Sequence, residues 1–129
     1  MDQKTIFRSI AERTGLSREE SADITRAVLE GLASQLSEGE ARRLAAGLAK
    51  PLADQFQAPK RSKKEAHPIP AGDFIRRVSE RVGVKAEDVR AGAGAVLDTL
   101  RETLSEEDFR HLLGQLPAEY ANLRQPARP

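Results

Sequence analysis

The stretch Ala27-Val-Leu-Glu-Gly-Leu-Ala-Ser-Gln-Leu-Ser-Glu38 decides the fold, because it returns 68 positions later as Ala95-Val-Leu-Asp-Thr-Leu-Arg-Glu-Thr-Leu-Ser-Glu106. In both copies the apolar residues follow the three- and four-residue spacing of a helix, and a Ser-Glu pair begins the next helix. The similarity extends without a gap over residues 6–52 and 74–120, where 15 of 47 positions are identical. Chance would give about 3 identities in a sequence of this composition. We therefore predict a tandem duplication.

Each copy is predicted to contain three helices. Gly15 ends the first helix in a left-handed conformation, and Ser17 and Ser37 begin the second and third helices as the first residues of capping boxes. The third helix is expected to continue to Leu52, with Pro51 marking its last turns. The second copy repeats this pattern. The predicted fold is therefore all-α, with six helices that pack into one pseudo-symmetric bundle.

The two copies differ at Lys85, Gly92, Gly94 and Pro51, and a specific function is expected at such differences. Lys85 stands where the first copy has a capping serine, so the fifth helix begins with a weaker signal. Gly92 and Gly94 each cost a helix about 1 kcal/mol relative to Ala, so they indicate close approach of a neighbouring helix. No strand precedes them, as a phosphate-binding loop would require.

The domain organisation follows from the repeat. Residues 1–56 form the first three-helix unit, 57–70 a connector rich in Pro and Lys, 71–123 the second unit and 124–129 a flexible tail. Units of this size bury too little surface to be stable alone. We therefore expect the two units to share one core.

Composition excludes several classes of protein. Hydrophobic residues make up 39% and charged residues 32% of the 129 residues, as in a soluble helical protein. The chain has no cysteine, no apolar signal segment near Met1 and no run long enough to span a membrane. We predict a cytoplasmic protein without disulfides, and no membrane partner.

The net charge of +1 is unevenly distributed. Residues 1–56 and 71–129 each carry −1, whereas the connector carries +3. Four cations within five positions can contact phosphates and would make binding dependent on salt, although no aromatic residue lies between them to stack on bases. The candidate polyanion contacts are Lys60, Arg61, Lys63 and Lys64.

Residue patterns typical of catalysis are scarce. The two histidines, His67 and His111, lack the paired spacing of a metal site, and His111 is expected on a helix surface. The serines at helix starts act as caps, and the acidic clusters lie in first helical turns, where the helix dipole favours them. Arg8 and Arg76 are each followed after four residues by a glutamate, which predicts surface ion pairs. No catalytic, cofactor-binding or metal-binding residue is assigned, and the chain is predicted not to be an enzyme.

The segment from Ala95 to Pro117 resembles the characteristic segment of the bacterial DUF2267 family, small helical proteins without an assigned function. The first copy is similar over Ala27–Leu32 and Leu36–Leu44, but its proline is displaced to Pro51. The resemblance covers nearly the whole chain and implies a helical fold. It implies no catalytic residues.

Residues 11–21 and 27–30 also resemble the first two helices of the bacterial histone-like HU class, which bends DNA. In that class a sheet and basic arms enter the minor groove, whereas here the sequence after Ser37 is helical. The resemblance therefore carries over no DNA-reading residue.

The sequence thus predicts a non-enzymatic interaction or structural module of a bacterial cytoplasm. Its partner is expected to be another protein or a second copy of the chain. The alternative is a nucleic-acid-associated protein that uses the basic connector and the HU-like helices.

Overall fold

The computed structural model describes residues 3–56 and 68–123, and every regular element within these ranges is a helix. This confirms the predicted all-α class. In chain order the elements are α1 (Gln3–Thr14), α2 (Arg18–Gln35), α3 (Glu38–Ala45), α4 (Lys50–Phe56), α5 (Ala71–Val82), α6 (Ala86–Thr103), α7 (Glu106–Gln115) and the 3-10 helix η1 (Ala118–Leu123).

The helix boundaries follow the 68-residue offset. Helices α1 to α4 begin 68 residues before α5, α6, α7 and η1, respectively, and the first two pairs also end at this offset. Below, "equivalent" residues are those related by this offset, and the two "halves" are α1–α4 and α5–η1. The same local sequence rules therefore operate twice.

The helix ends show how those rules act. Ser17 Oγ accepts from the Glu20 backbone N–H at 3.1 Å, while the Ser17 N–H donates to Glu20 Oε1 at 3.1 Å, which completes the predicted capping box. Gly15 and Gly83 end α1 and α5 with φ of 77° and 74°, in the left-handed region that favours glycine. Lys85 begins α6 without a side-chain cap, as predicted.

The predicted third helix is two helices in each half, so the described residues contain eight helices where the sequence predicted six. In the first half α3 ends at Ala45 and α4 begins at Lys50. Pro51 is the second residue of α4 and lacks the N–H that would bond to the carbonyl of Gly47, an N–H that has no helical partner in the first turn of a new helix. In the second half Pro117 lies between α7 and η1, and Leu116 before it is extended.

The core is shared between the halves. Helix α1 packs against both α2 and α6, α5 packs against both α6 and α2, and α2 crosses α6. The first helix of each half therefore contacts the long helix of the other half, and one hydrophobic cluster joins them. The largest fully buried side chains come from both halves and are Tyr120, Phe56, Ile10, Ile24, Leu29, Leu32, Leu36, Leu44, Leu52, Leu97 and Leu100.

Ion pairs between the halves occur in equivalent positions. Arg13 binds Asp98 at 2.9 Å between α1 and α6, and the equivalent residues Arg81 and Glu30 form a pair of 2.9 Å between α5 and α2. Exchanging the two halves therefore exchanges one ion pair for the other. This is the relationship that an approximate twofold axis between the halves produces.

A second set of contacts obeys the same exchange. Arg43 lies 3.5 Å from Asp108, and the equivalent residues His111 and Glu40 lie 3.6 Å apart. These two pairs join α3 to α7. They involve other helices than the first two pairs, which join α1 to α6 and α5 to α2. The correspondence between equivalent ion pairs thus includes the short helices α3 and α7.

The glycines in α6 are packing positions, as predicted. A Cβ atom on Gly92 would lie 2.7 Å from Cγ2 of Ile24, and one on Gly94 would collide with the backbone carbonyl oxygen of Leu123. Both glycines are buried. They allow α2 and η1 to approach the α6 backbone more closely than a side chain would permit.

Three hydrogen bonds form a closed ring where the chain enters the second half. Gln35 Nε2 donates to Tyr120 Oη at 2.9 Å, Tyr120 Oη donates to the Ile69 carbonyl at 2.8 Å, and the Ile69 N–H donates to Gln35 Oε1 at 3.0 Å. Gln35 and Tyr120 are buried, with 2% and 0% exposure. The ring therefore fixes α2, the residues before α5 and η1 to one another.

Candidate functional site

The predicted polyanion contacts lie outside the described residues. Lys60, Arg61, Lys63 and Lys64, together with His67, fall within positions 57–67, between α4 and Pro68. Their part in binding stays a prediction from the sequence.

The other histidine is engaged in structural contacts. His111 lies on α7, where Nε2 is 3.6 Å from Glu40 and Nδ1 is 3.5 Å from Gln115 Nε2, and its side chain is 37% exposed. Within residues 3–56 and 68–123 no three His, Asp or Glu side chains are grouped so as to hold a metal ion. Ser17, Ser37 and Ser105 each cap a helix. These contacts account for the side chains that a catalytic site would most readily use.

One groove, of about 470 Å³, lies beside α7. Phe109 and Leu113 supply its apolar surface, and Arg101, Glu106 and Arg110 surround them. Arg110 is 3.6 Å from Glu106, and these side chains are 74% and 91% exposed. This groove therefore combines one solvent-exposed ion pair with Arg101, which forms no ion pair with another described residue.

A second groove, which we call the basic groove, lies on α1 beside the start of α2. It has a volume of about 250 Å³ and is lined by Lys4, Phe7, Arg8, Ala11 and Arg18. The four residues from α1 have the spacing i, i+3, i+4 and i+7, which places them in one stripe on the helix. The three cations are exposed, whereas the phenyl and methyl groups between them are half-buried. The groove therefore has an apolar floor and a positive rim.

Within the described part of the chain, no ion pair neutralises Lys4, Arg8 or Arg18. The predicted pair between Arg8 and Glu12 does not form there. The equivalent prediction for Arg76 is also wrong, since Arg76 binds Asp73 at 3.2 Å, on the preceding turn of α5. The basic groove thus keeps three cations available to an external anion.

The equivalent surface on the second half lacks this charge. Gly72 and Ala86 stand in place of Lys4 and Arg18. The third equivalent residue, Arg76, is neutralised by Asp73. Because the second half forms the same helices without these cations, the fold does not require them in the first half.

The apolar floor differs in the same way. Phe7 is half-buried in the groove, whereas the equivalent Ile75 is 6% exposed and belongs to the core. Ala11 has Ser79 as its equivalent, and the Ser79 hydroxyl donates to the Val84 carbonyl. The combination of a partly exposed aromatic ring and unpaired cations therefore occurs at this surface of the first half and not at its equivalent.

Sequence reasoning did not identify this groove. The sequence singled out four positions at which the two copies differ. The structure explains three of them, because Gly92 and Gly94 permit close packing and Pro51 lies in the first turn of α4, after the break that follows α3. The available signal was the exchange of Arg18 for Ala86 in the aligned repeats, together with the stripe beginning at Lys4. That signal acquires meaning only when the helix faces and the ion pairs are known.

Comparison with known proteins identifies the family. The model of DUF2267, an uncharacterized conserved protein family, matches residues 3–123. The chain therefore belongs to the DUF2267 family, as its sequence predicted. No curated protein matches it significantly.

Among the described residues, no helix combines the length and the hydrophobicity needed to cross a bilayer.

Proposed function

We propose that the protein is a cytoplasmic, non-enzymatic interaction module that binds a protein partner through the basic groove. The observation that carries this proposal is the contrast between equivalent surfaces. In the first half Lys4, Arg8 and Arg18 form no ion pair with another described residue, while the second half has replaced or neutralised each of them. These three cations surround the partly exposed ring of Phe7, and charge combined with an apolar surface is what recognition of a protein partner uses.

The proposed architecture is an internally duplicated unit whose copies pack together like the subunits of a dimer. The 68-residue offset of the helix starts supports a duplication, as do the two sets of exchanged ion pairs. In such a molecule the long helices of both halves are used for the shared core. The outer faces of α1 and α5 are not needed for this core, so their residues can differ between the halves. The basic groove on α1 and its counterpart on α5 differ in this way.

The non-enzymatic part of the proposal is supported by what the polar groups already do. Buried polar side chains such as Gln35, Thr25 and Thr99 are satisfied by hydrogen bonds within the fold. The groove beside α7 and the basic groove are open and bordered by exposed side chains, unlike the enclosed, mostly apolar clefts that hold small substrates. A binding role uses these surfaces as they stand.

Site-specific photo-crosslinking in the native cell tests this function. A crosslinking amino acid at exposed position 12, one turn beyond Arg8, leaves the three cations in place and is expected to give an adduct with one defined protein, which can be identified by mass spectrometry. The same group at the equivalent position 80 is the matched control and is expected to give no such adduct. Equal adducts at both positions would contradict the proposal.

Two other outcomes have separate meanings. Adducts with nucleic acid alone would support the alternative function and overturn ours. An adduct with a second copy of the chain would identify self-association, which light scattering of the purified protein would then have to show as a dimer mass.

A further inference from the structure

The chemistry of the basic groove restricts what can bind there, and this inference rests on the proposed function. Three cations rim the groove and none of the described residues that line it is acidic, so its charge favours an anionic ligand. Lys4 and Arg8 are one helical turn apart on α1, which corresponds to about 6 Å along the helix axis. Arg18 extends the positive rim from the start of α2. The ligand must therefore present several negative groups at intervals of about one turn.

The floor of the groove requires an apolar group as well. Phe7 and Ala11 are separated by four residues and form a shallow apolar strip between the cations. The volume of about 250 Å³ is below the range of about 300–1,000 Å³ that is typical of small-molecule pockets. The groove fits the anchoring side chains of a larger ligand better than an enclosed metabolite.

The surrounding charges disfavour a nucleic-acid backbone. Glu12 lies on α1 one turn beyond Arg8, and Glu19 and Glu20 follow Arg18 directly on α2. All three are exposed. A phosphate backbone requires a continuous positive face, whereas these carboxylates limit the positive potential to a patch about two turns long.

We infer that the basic groove binds an acidic amphipathic helix of a partner protein. The apolar residues of that helix, spaced i, i+3 or i+4 and i+7, pack on Phe7 and Ala11, and its flanking carboxylates pair with Lys4, Arg8 and Arg18. The apolar contacts provide the anchor and the ion pairs fix its orientation and raise the rate of association.

The test measures binding of a fluorescent peptide to the full chain. The probe is a stapled helix of about 16 residues, roughly four turns, with leucines on one face and glutamates elsewhere. A peptide of the same composition, scrambled so that the leucines share no face, is the first control. A DNA duplex of similar charge is the second. Binding of the amphipathic probe is expected to be tighter than that of either control and to weaken with added salt.

Matched variants locate the binding surface. The triple change Lys4→Ala, Arg8→Ala and Arg18→Ala is expected to weaken probe binding by about tenfold or more. The control triple change Arg77→Ala, Lys85→Ala and Arg90→Ala removes the same charge from exposed residues of the second half and is expected to change affinity by less than about twofold. Circular dichroism of both variants checks that each keeps its fold.

Four results would overturn the inference. The first is no binding of the probe at low salt, and the second is equal loss of affinity in the two triple variants. The third is that the DNA duplex binds more tightly than the amphipathic probe and that the Lys4, Arg8 and Arg18 triple variant loses this binding. The fourth is a set of NMR shift changes centred on Phe109 and Leu113 instead of α1. The fourth would leave protein binding in place and move its site. A crosslinking group at exposed position 110 on α7 distinguishes this from failure of the function, because it gives an adduct only when a protein binds there.

Discussion

Ile24 and Gly92 are equivalent residues, 68 positions apart, and they face each other where α2 crosses α6. Two equivalent residues can meet only close to the axis that relates the halves. The structure places a large side chain on one side of this point and none on the other. Two isoleucines would overlap here and two glycines would leave a void, so the pair makes the contact between the halves complementary.

This relationship predicts the result of a reciprocal exchange. Gly92→Ile is expected to lower the free energy of unfolding by about 1–3 kcal/mol through overpacking. Ile24→Gly is expected to lower it by about 3 kcal/mol or more, from the cavity and the helix glycine together. The double variant restores the large-small pair in the opposite orientation. Its loss of unfolding free energy should be at least about 1 kcal/mol smaller than the sum of the two single losses. Urea denaturation measures all three, and strictly additive losses would contradict the proposed complementarity.

The close approach of η1 to α6 predicts opposite effects at two glycines. Gly94→Ala is expected to destabilise the protein, because the new methyl group meets the backbone carbonyl of Leu123, which a side-chain rotation cannot relieve. Gly114→Ala is the matched control at an exposed position of α7, where a Cβ meets nothing within 4 Å. The control should gain about 0.5–1 kcal/mol from helix propensity. Thermal unfolding measures both variants. A higher unfolding temperature for both would show that η1 and α6 are not in close contact at Gly94.

The exchanged ion pairs predict two small and independent couplings. Double-mutant cycles on Arg13 with Asp98, and on Arg81 with Glu30, are each expected to give about 0.2–1 kcal/mol. The side chains are between 24% and 57% exposed, so both values should fall when salt is added. A coupling that persists in 1 M salt at one pair alone would show that the two halves are held together unequally at these sites.

The raised pKa of the buried Tyr120 phenol predicts that the folded protein loses stability at high pH. Burial raises its pKa from the ordinary value of 10.0 to about 12, an effect that the hydrogen bond from Gln35 partly offsets. Because the folded protein favours the neutral phenol, this contribution is complete below pH 10 and is lost as the pH rises towards 12. The loss amounts to about 2–3 kcal/mol for a shift of this size.

The matched variant for this prediction is Tyr120→Phe. It removes the hydroxyl from the ring of hydrogen bonds with Gln35 and Ile69, and it should cost about 1–3 kcal/mol at neutral pH. Between pH 10 and 12 the stability of the variant should decline less than that of the parent protein. Equal slopes for the two proteins would mean that other groups cause the alkaline loss.

Much of the fold could be predicted because its signals are local. Ser17 with Glu20, and Gly15, each lie within a few positions of the helix end they determine. The division of the third helix was missed because one proline can either end a helix or begin another. Pro51 lies in the first turn of a new helix, α4. That α3 ends before it depends on the turn between the two helices.

By itself the sequence determined the class of fold, the repeated order of helices and the caps that begin and end them, since helix periodicity and capping depend on neighbours in the chain. Only the tertiary structure decided that α1 packs on α6 and α5 on α2, and that Arg13 binds Asp98, 85 residues away. The basic groove belongs to this second category. Asp73 lies three residues before Arg76 on α5, whereas Thr5 is the corresponding residue before Arg8, so this difference is local. What the linear pattern does not specify is that Arg18, at the start of α2, lies beside the Lys4–Ala11 stripe of α1.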